Sequence, residues 1–388
     1  MTDQDLKYWL ALKWTEGVGN IGFTALIDAF GSPEGVFSAS LHDLKETSGI
    51  GQKTAGALKS FSRWQQVERE LESAQGHQVS IITYQDPLYP KYLLNIYNFP
   101  PILYVKGTLR EDDVIVAVVG SRTASAYGIF STERLCRELA SKGIVVASGI
   151  ARGIDAAAHR GCLIGRGRTI AVLGCGIDIV YPPENKKLFE KIPVQGAIIT
   201  EFPFGTPPSG PNFPARNRII SGISLGVLVV EANEKSGSLI TARMALEQGR
   251  EVFAVPGSID SAGSRGANKL IKQGAKLVES ADDILEEILP QININATESN
   301  TKRKKTIECD NKKSPTNGWN SKVNAPTESL TDVERKLLEH ITSDPVSIDT
   351  LIAITGGKAG IISNTLLMLE LKGQINQLPG KTFIRKEQ

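Results

Sequence analysis

At 388 residues the chain exceeds one ordinary domain, and a prior of roughly 150 residues per domain predicts two or three. With 41% apolar residues, 22% charged residues and 37 glycines, the composition is globular and rich in turns or close backbone approaches, which excludes disorder as the general state. No apolar run reaches the ~18 residues of a membrane span and Met1-Thr-Asp-Gln-Asp5 is acidic, so a cytoplasmic protein without a membrane partner is expected; the net charge of +2 leaves any DNA affinity to locally clustered arginines and lysines.

Residues 1–75 read as a small all-α, SAM-like domain. Two punctuations, Gly17-Val-Gly-Asn-Ile-Gly22 and Ser48-Gly-Ile-Gly-Gln-Lys-Thr54, are each followed by a helical pattern and look like helix-hairpin-helix turns. Such glycines free backbone N–H groups at a helix start, where a phosphate can sit; simple packing of glycine turns is an equal alternative.

Residues 76–289 alternate. Apolar runs at Val114–Val119, Ile144–Ala147, Thr169–Leu173, Ala197–Thr200, Gly226–Val230 and Val252–Val255 are separated by helical stretches. Unalternated strands are buried on both faces, so the expected fold class is α/β, a doubly wound, mostly parallel sheet. Ligands bind such sheets beyond the carboxyl ends of the strands.

The strand-end loops repeat one design. Gly120-Ser-Arg-Thr-Ala-Ser-Ala-Tyr-Gly128 combines a glycine turn with donors from Ser121 and Arg122 at a helix start, an anion cradle. It is not GxGxxG, and Arg122 would obstruct a dinucleotide pyrophosphate, so no nicotinamide or flavin cofactor is expected. Ser148-Gly-Ile-Ala-Arg-Gly-Ile-Asp155 brings Arg152 to a second such loop; a mutual or neighbouring ion pair that shapes the loop is the alternative for Arg152 and Asp155, and for Asp155 the plainer reading. Leu173-Gly-Cys-Gly-Ile-Asp178 and Tyr181-Pro-Pro-Glu-Asn185 form a rigid turn.

Phe213-Pro-Ala-Arg-Asn-Arg-Ile-Ile220 adds Arg216 and Arg218, planar forks suited to phosphate, and Asn217, which can donate to an oxygen or accept from a base edge. Helix capping or pairing with an acidic residue across the sheet is the plainer reading of these arginines. Ser236, Gly237 and Ser238 open a further helix and repeat the anion-binding pattern, with Ser238 as a simple N-cap the bland alternative.

Residues 290–327 are rich in Asn, Thr, Ser and Lys and read as a flexible linker; seven basic and three acidic side chains there leave the rest of the chain at −2. Residues 328–388 show helical patterns at Thr331–Ile341, Ser347–Thr355 and Lys358–Lys372 and a hairpin through Leu378-Pro-Gly380, a winged-helix-like domain. Its third helix is too apolar to read a major groove, which favours protein interaction or plain packing.

Cys136, Cys162, Cys175 and Cys309 lack CxxC spacing and the four histidines are scattered, so no metal site is expected; the first three cysteines read as buried small apolar residues. Walker A, GxSxG and HExxH motifs are absent. Glu201 and Glu231 are the only strand-end carboxylates for acid/base work, and neither has an evident nucleophile beside it, so binding is favoured over catalysis.

Read together, Val119-Gly-Ser-Arg122, Ser148–Asp155, Ala171–Asp178 with Tyr181-Pro182, Phe213–Ile220, Ser236–Ala242 and Gly249–Gly257 closely resemble, in order and spacing, the motif series of the DNA processing protein A (DprA, or Smf) family. The resemblance spans roughly 110–280, and the helix-hairpin-helix-like start and winged-helix-like end fit longer members. It implies an extended Rossmann-like domain and a cytoplasmic, non-catalytic protein. Such a protein binds single-stranded DNA, forms a homodimer and helps load the RecA recombinase onto incoming strands in natural transformation. Carried over by motif, Gly120, Ser121 and Arg122 would contact the DNA backbone, with Phe213 to Arg218 lining the same pocket; Arg152 and Ser236 to Ser238 join them by their place at strand ends. The alternative is a nucleotide-processing phosphoribohydrolase on a similar sheet, with Glu201 or Glu231 as acid/base, but Pro256-Gly-Ser-Ile stands where that reading needs a Pro-Gly-Gly-x-Gly-Thr loop. A third reading is an adaptor whose winged-helix end does the work.

Overall fold

The computed structural model describes residues 3–291 and, further on, residues 335, 337–338, 340–342, 346–355, 362, 365–366, 369, 374–378 and 382–385. They fall into two units, divided between Asp310 and Asn311.

The first unit opens with six helices, α1 Asp3–Lys13, α2 Asn20–Phe30, α3 Pro33–Ser38, α4 Leu41–Glu46, α5 Gln52–Lys59 and α6 Trp64–Gly76. The two glycine turns join α1 to α2 and α4 to α5, with Gly17 and Gly49 at φ of 85° and 80°, where a side chain would be strained. They pack on one another: a Cβ on Gly17 would meet Thr54, and one on Gly22 would meet Ile50. Ser32 and Ser40 cap α3 and α4 by accepting from the N–H groups of Gly35 and Asp43. Trp9, Phe23, Leu26 and Leu44 fill a core that continues into the sheet through Tyr104 and Ile198.

Nine strands form that sheet: β1 Val79–Thr83, β2 Ile102–Gly107, β3 Ile115–Gly120, β4 Val145–Ser148, β5 Thr169–Val172, β6 Ala197–Thr200, β7 Gly226–Val230, β8 Glu251–Ala254 and β9 Lys276–Leu277. Their order is β1-β2-β6-β5-β4-β3-β7-β8-β9. From β6 to β9 all neighbours are parallel, while β2 pairs antiparallel with both β1 and β6. The six apolar runs read from the sequence are β3 to β8. β1, β2 and β9 lie outside them: β1 exposes Ser80, β2 follows two prolines, and β9 is two residues long.

The flanking helices are α7 Ala126–Ser141, α8 Ile154–Ile164, α9 Lys186–Gln195, α10 Asn212–Gly222, α11 Gly237–Glu247 and α12 Arg265–Lys272, with one more over 281–291. Both faces of β3 are apolar because the strand period is two. Ile115, Ala117 and Val119 meet Ile219 and Ile220 of α10 and Ala242 of α11 on one face; Val116 and Val118 meet Leu135 and Leu139 of α7 and Ala158 of α8 on the other. The chain runs β3, β4, β5, β6 to one side and then returns to lay β7 on the opposite flank of β3. The carboxyl ends of β3 and β7 therefore mark the topological switch point, where ligands bind in doubly wound sheets.

In the second unit β10 Val346–Ser347, β11 Ile375–Leu378 and β12 Thr382–Arg385 form an antiparallel sheet in the order β10-β12-β11. The helix Ile348–Thr355 accompanies it, and Leu337, Ile341, Leu351, Leu366 and Phe383 are buried together. β11 and β12 are the hairpin expected through Leu378-Pro-Gly380. Apart from residues 290 and 291, the proposed linker lies outside the described residues, as does most of the helix expected over Lys358–Lys372.

Candidate functional site

A pocket of about 410 Å³ opens at the switch point. Gly120, Ser121 and Arg122 enter from the end of β3, Asp155 from the start of α8, Phe213, Arg216 and Asn217 from α10, and Ser236, Gly237 and Ser238 from the start of α11. Ala151, Asn233 and Thr241 also line it; Asn233 lies just past β7, in a loop the sequence marks as functional without singling this residue out.

Three loops are fastened together there. A Cβ on Gly120 would lie 1.9 Å from the Val230 carbonyl oxygen, so only glycine lets β3 run this close to β7. The Ser121 N–H donates to the Glu231 carbonyl at 2.8 Å, and the Ser121 carbonyl accepts from Ile154 N–H at 3.1 Å. Gly153, at φ of 71°, brings the second loop so close that a Cβ would sit 2.2 Å from that same Ser121 oxygen.

The α10 side chains sort by helical period. Phe213, Arg216, Asn217 and Ile220 are spaced i, i+3, i+4, i+7 and face the pocket. Arg218 is two residues beyond Arg216, about 200° around the helix. The structure does not bring it to the pocket: its Nη2 donates to both oxygens of Glu201, at 2.6 and 2.5 Å.

Arg216 is only 4% exposed. Its Nη1 donates to the carbonyls of Gly149, at 3.0 Å, and Val172, while Nε is buried without a hydrogen-bond partner among the described residues. Burial lowers its pKa to about 10, against the opposing pull of Asp155, so it is cationic at neutral pH. It is therefore a charged floor, and differs from the outward-reaching fork that the sequence suggests. Arg122 is exposed: its guanidinium lies 5.5 Å from the Phe213 ring centroid, and no carboxylate among the described residues pairs with it.

Arg152 stays outside the main pocket. It bonds Glu184 through Nε and borders a smaller adjoining cavity with Gly174, Tyr181, Phe213 and Arg216. Asp155 does not pair with it. The Asp155 Oδ2 accepts from the N–H groups of Gly149 and Ala151, at 3.2 and 3.4 Å, and burial raises its pKa despite Arg216. The cap of α11 is Ser236, whose Oγ accepts from Ser238 N–H at 3.4 Å and lies 2.7 Å from Ser238 Oγ. Ser238 is inside the helix, so the reading of it as the cap is corrected.

Neither candidate acid/base lines the pocket. Glu201 is engaged by Arg218, and Glu231 Oε2 accepts from Ser125 N–H at 2.8 Å, with Gly128 and Gly263 closing around it. Cys136, Cys162 and Cys175 are buried and unpaired, as read. Among the described residues no cluster of His, Cys, Asp and Glu could hold a metal, and no helix is long and apolar enough to cross a membrane. The pocket thus offers a buried cation, an exposed one, backbone donors at two helix starts and hydroxyls: a surface for an anion.

Residues 80–289 match the family described as DNA recombination-mediator protein A, and residues 322–381 match the DprA winged helix domain. Over full length the chain is 36% identical to Protein Smf of Synechocystis sp., covering 100% of both. It resembles the crystal structure of DNA processing protein A from Streptococcus pneumoniae at TM-score 0.64 and 36% identity, over 74% of this chain and 98% of that one. A second likeness, at TM-score 0.50 and 30% identity over 55% of this chain and 97% of the other, is to DNA processing protein A from Helicobacter pylori, studied for its single-stranded DNA binding mode.

Proposed function

The chain belongs to the DNA recombination-mediator protein A family, and from that premise we propose that its switch-point pocket holds single-stranded DNA without acting on it chemically. One observation carries the reading: the loops after β3, β4 and β7 and the inner face of α10 converge on a pocket with Arg216 in its floor and an exposed Arg122 at its rim. Gly120, Ser121, Arg122, Phe213, Arg216, Asn217 and Ser236 to Ser238 make up the strand site, with Arg152 in the adjoining cavity. Fixed donors aimed at phosphates bind any sequence, as backbone tracking requires.

The reading extends to a cytoplasmic homodimer that helps load RecA onto strands, with residues 1–75, 76–289 and 328–388 as its domains. Titration of labelled single and double strands of one sequence tests the binding: a clear single-strand preference is expected, and equal affinity contradicts it. Incubation with nucleoside monophosphates should release no free base. Addition of the protein should speed RecA filament formation on single strands.

A further inference from the structure

Arg122 sits in a short loop, Ser121 to Ser125, whose two ends are held by one residue just past β7. At one end the Glu231 carbonyl accepts from the Ser121 N–H at 2.8 Å; at the other, Glu231 Oε2 accepts from the Ser125 N–H, also at 2.8 Å. Ser125 in turn caps α7 by accepting from the Gly128 N–H at 3.1 Å, so the carboxylate also fixes the start of that helix. The fit is close: a Cβ on Gly128 would lie 2.1 Å from Oε2, and one on Gly263 2.9 Å from Oε1.

Glu231 stands at φ of 53°, in the left-handed region that side-chain-bearing residues rarely adopt. Glycine would relax that backbone but would offer Ser125 no acceptor. The side chain borders a separate cavity of about 580 Å³ with Ser125, Tyr127 and Ser258, and does not line the strand pocket.

We propose that Glu231 is a positioning residue for strand binding: it touches no part of the strand and sets the place of Arg122 by clamping the Ser121 to Ser125 loop at both ends. This gives the strand-end carboxylate a role other than acid/base work, and it rests on the single-strand reading above. The sign of the effect separates the clamp from plain electrostatics. A carboxylate close to an anion site repels a strand, so loss of its charge alone strengthens binding. Loss of the clamp frees Arg122, which must then be ordered by the ligand, and binding weakens.

The test uses the full chain, with fluorescence anisotropy on labelled oligothymidine and urea unfolding of each variant. Glu231→Ala should weaken binding about fivefold, whereas Glu231→Gln, which keeps an acceptor oxygen for the Ser125 N–H and loses the charge, should bind at least as tightly as the wild type. Glu231→Gly should weaken binding as much as Glu231→Ala while unfolding at higher urea, because glycine relieves the strained φ; affinity then does not follow stability. In an Arg122→Ala background, Glu231→Ala should weaken binding by less than about a further twofold. Binding by Glu231→Ala as tight as the wild type's, weakening by Glu231→Gln equal to that by Glu231→Ala, or the same loss with Arg122 already removed overturns the proposal. A wild type that binds no strand refutes the single-strand reading itself.

Discussion

The guanidinium of Arg216 lies against the Cα of Gly149 and donates to its carbonyl oxygen at 3.0 Å, so that a Cβ at position 149 would come 2.5 Å from Nη2. The arginine is pinned by a second carbonyl, that of Val172, and cannot swing aside. Gly149→Ala should therefore cost roughly 1–3 kcal/mol. Arg216→Ala should cost about 3 kcal/mol, because it opens a cavity and strands two buried carbonyls. Both should lose strand affinity along with stability in urea unfolding, and a stable Arg216→Ala protein with weakened binding would show that the arginine acts on the ligand alone.

Arg218 and Glu201 form a pair whose side chains are only 14% and 10% exposed. Removal of Arg218 strips a nearly buried carboxylate of its bonded partner and leaves it Lys13 as a charged neighbour, at up to roughly 3–5 kcal/mol. Arg218→Ala should lower stability by that order while the folded fraction keeps its strand affinity within about twofold. A large fall in affinity with stability unchanged would move Arg218 back into the binding site.

Burial holds the His159 imidazole neutral, lowering its pKa to about 3, with Nδ1 2.7 Å from Thr169 Oγ1. In the unfolded chain the group titrates near its ordinary value of about 6.5. As pH falls from that value toward 3, the unfolded state gains a proton that the native state refuses, so stability declines, with a limiting slope of about 1.4 kcal/mol per pH unit. Asp155 has the opposite sign: its raised pKa lets the native state hold a proton to higher pH than the unfolded chain, a partial offset at the acid end. His159→Gln should flatten the loss of stability between pH 7 and 5 in urea titrations, and an unchanged slope would assign the acid sensitivity elsewhere.

The parallel core was legible because β3 to β8 are buried on both faces and carry apolar residues at successive positions. The strand-end loops were legible too, through their glycines. The antiparallel edge was not: β2 pairs with β6 nearly a hundred residues away, and nothing local in Ile102–Gly107 encodes the partner. Arg216 and Arg218 look equivalent as neighbours in sequence, yet helical geometry sends one to the pocket and the other to Glu201. The partners of Arg152 and Glu231, 32 and 106 residues distant, are set by the topology alone.

Arg122 is the exposed cation at the rim of the switch-point pocket. Affinity for a single strand should be measured across a range of salt concentrations for the wild type and Arg122→Ala. If Arg122 holds a strand phosphate, Arg122→Ala should bind any sequence roughly tenfold more weakly, unfold within about 0.5 kcal/mol of the wild type, and give a plot of log affinity against log salt shallower by about 0.7, the loss of one phosphate contact. Unchanged affinity and slope would contradict it.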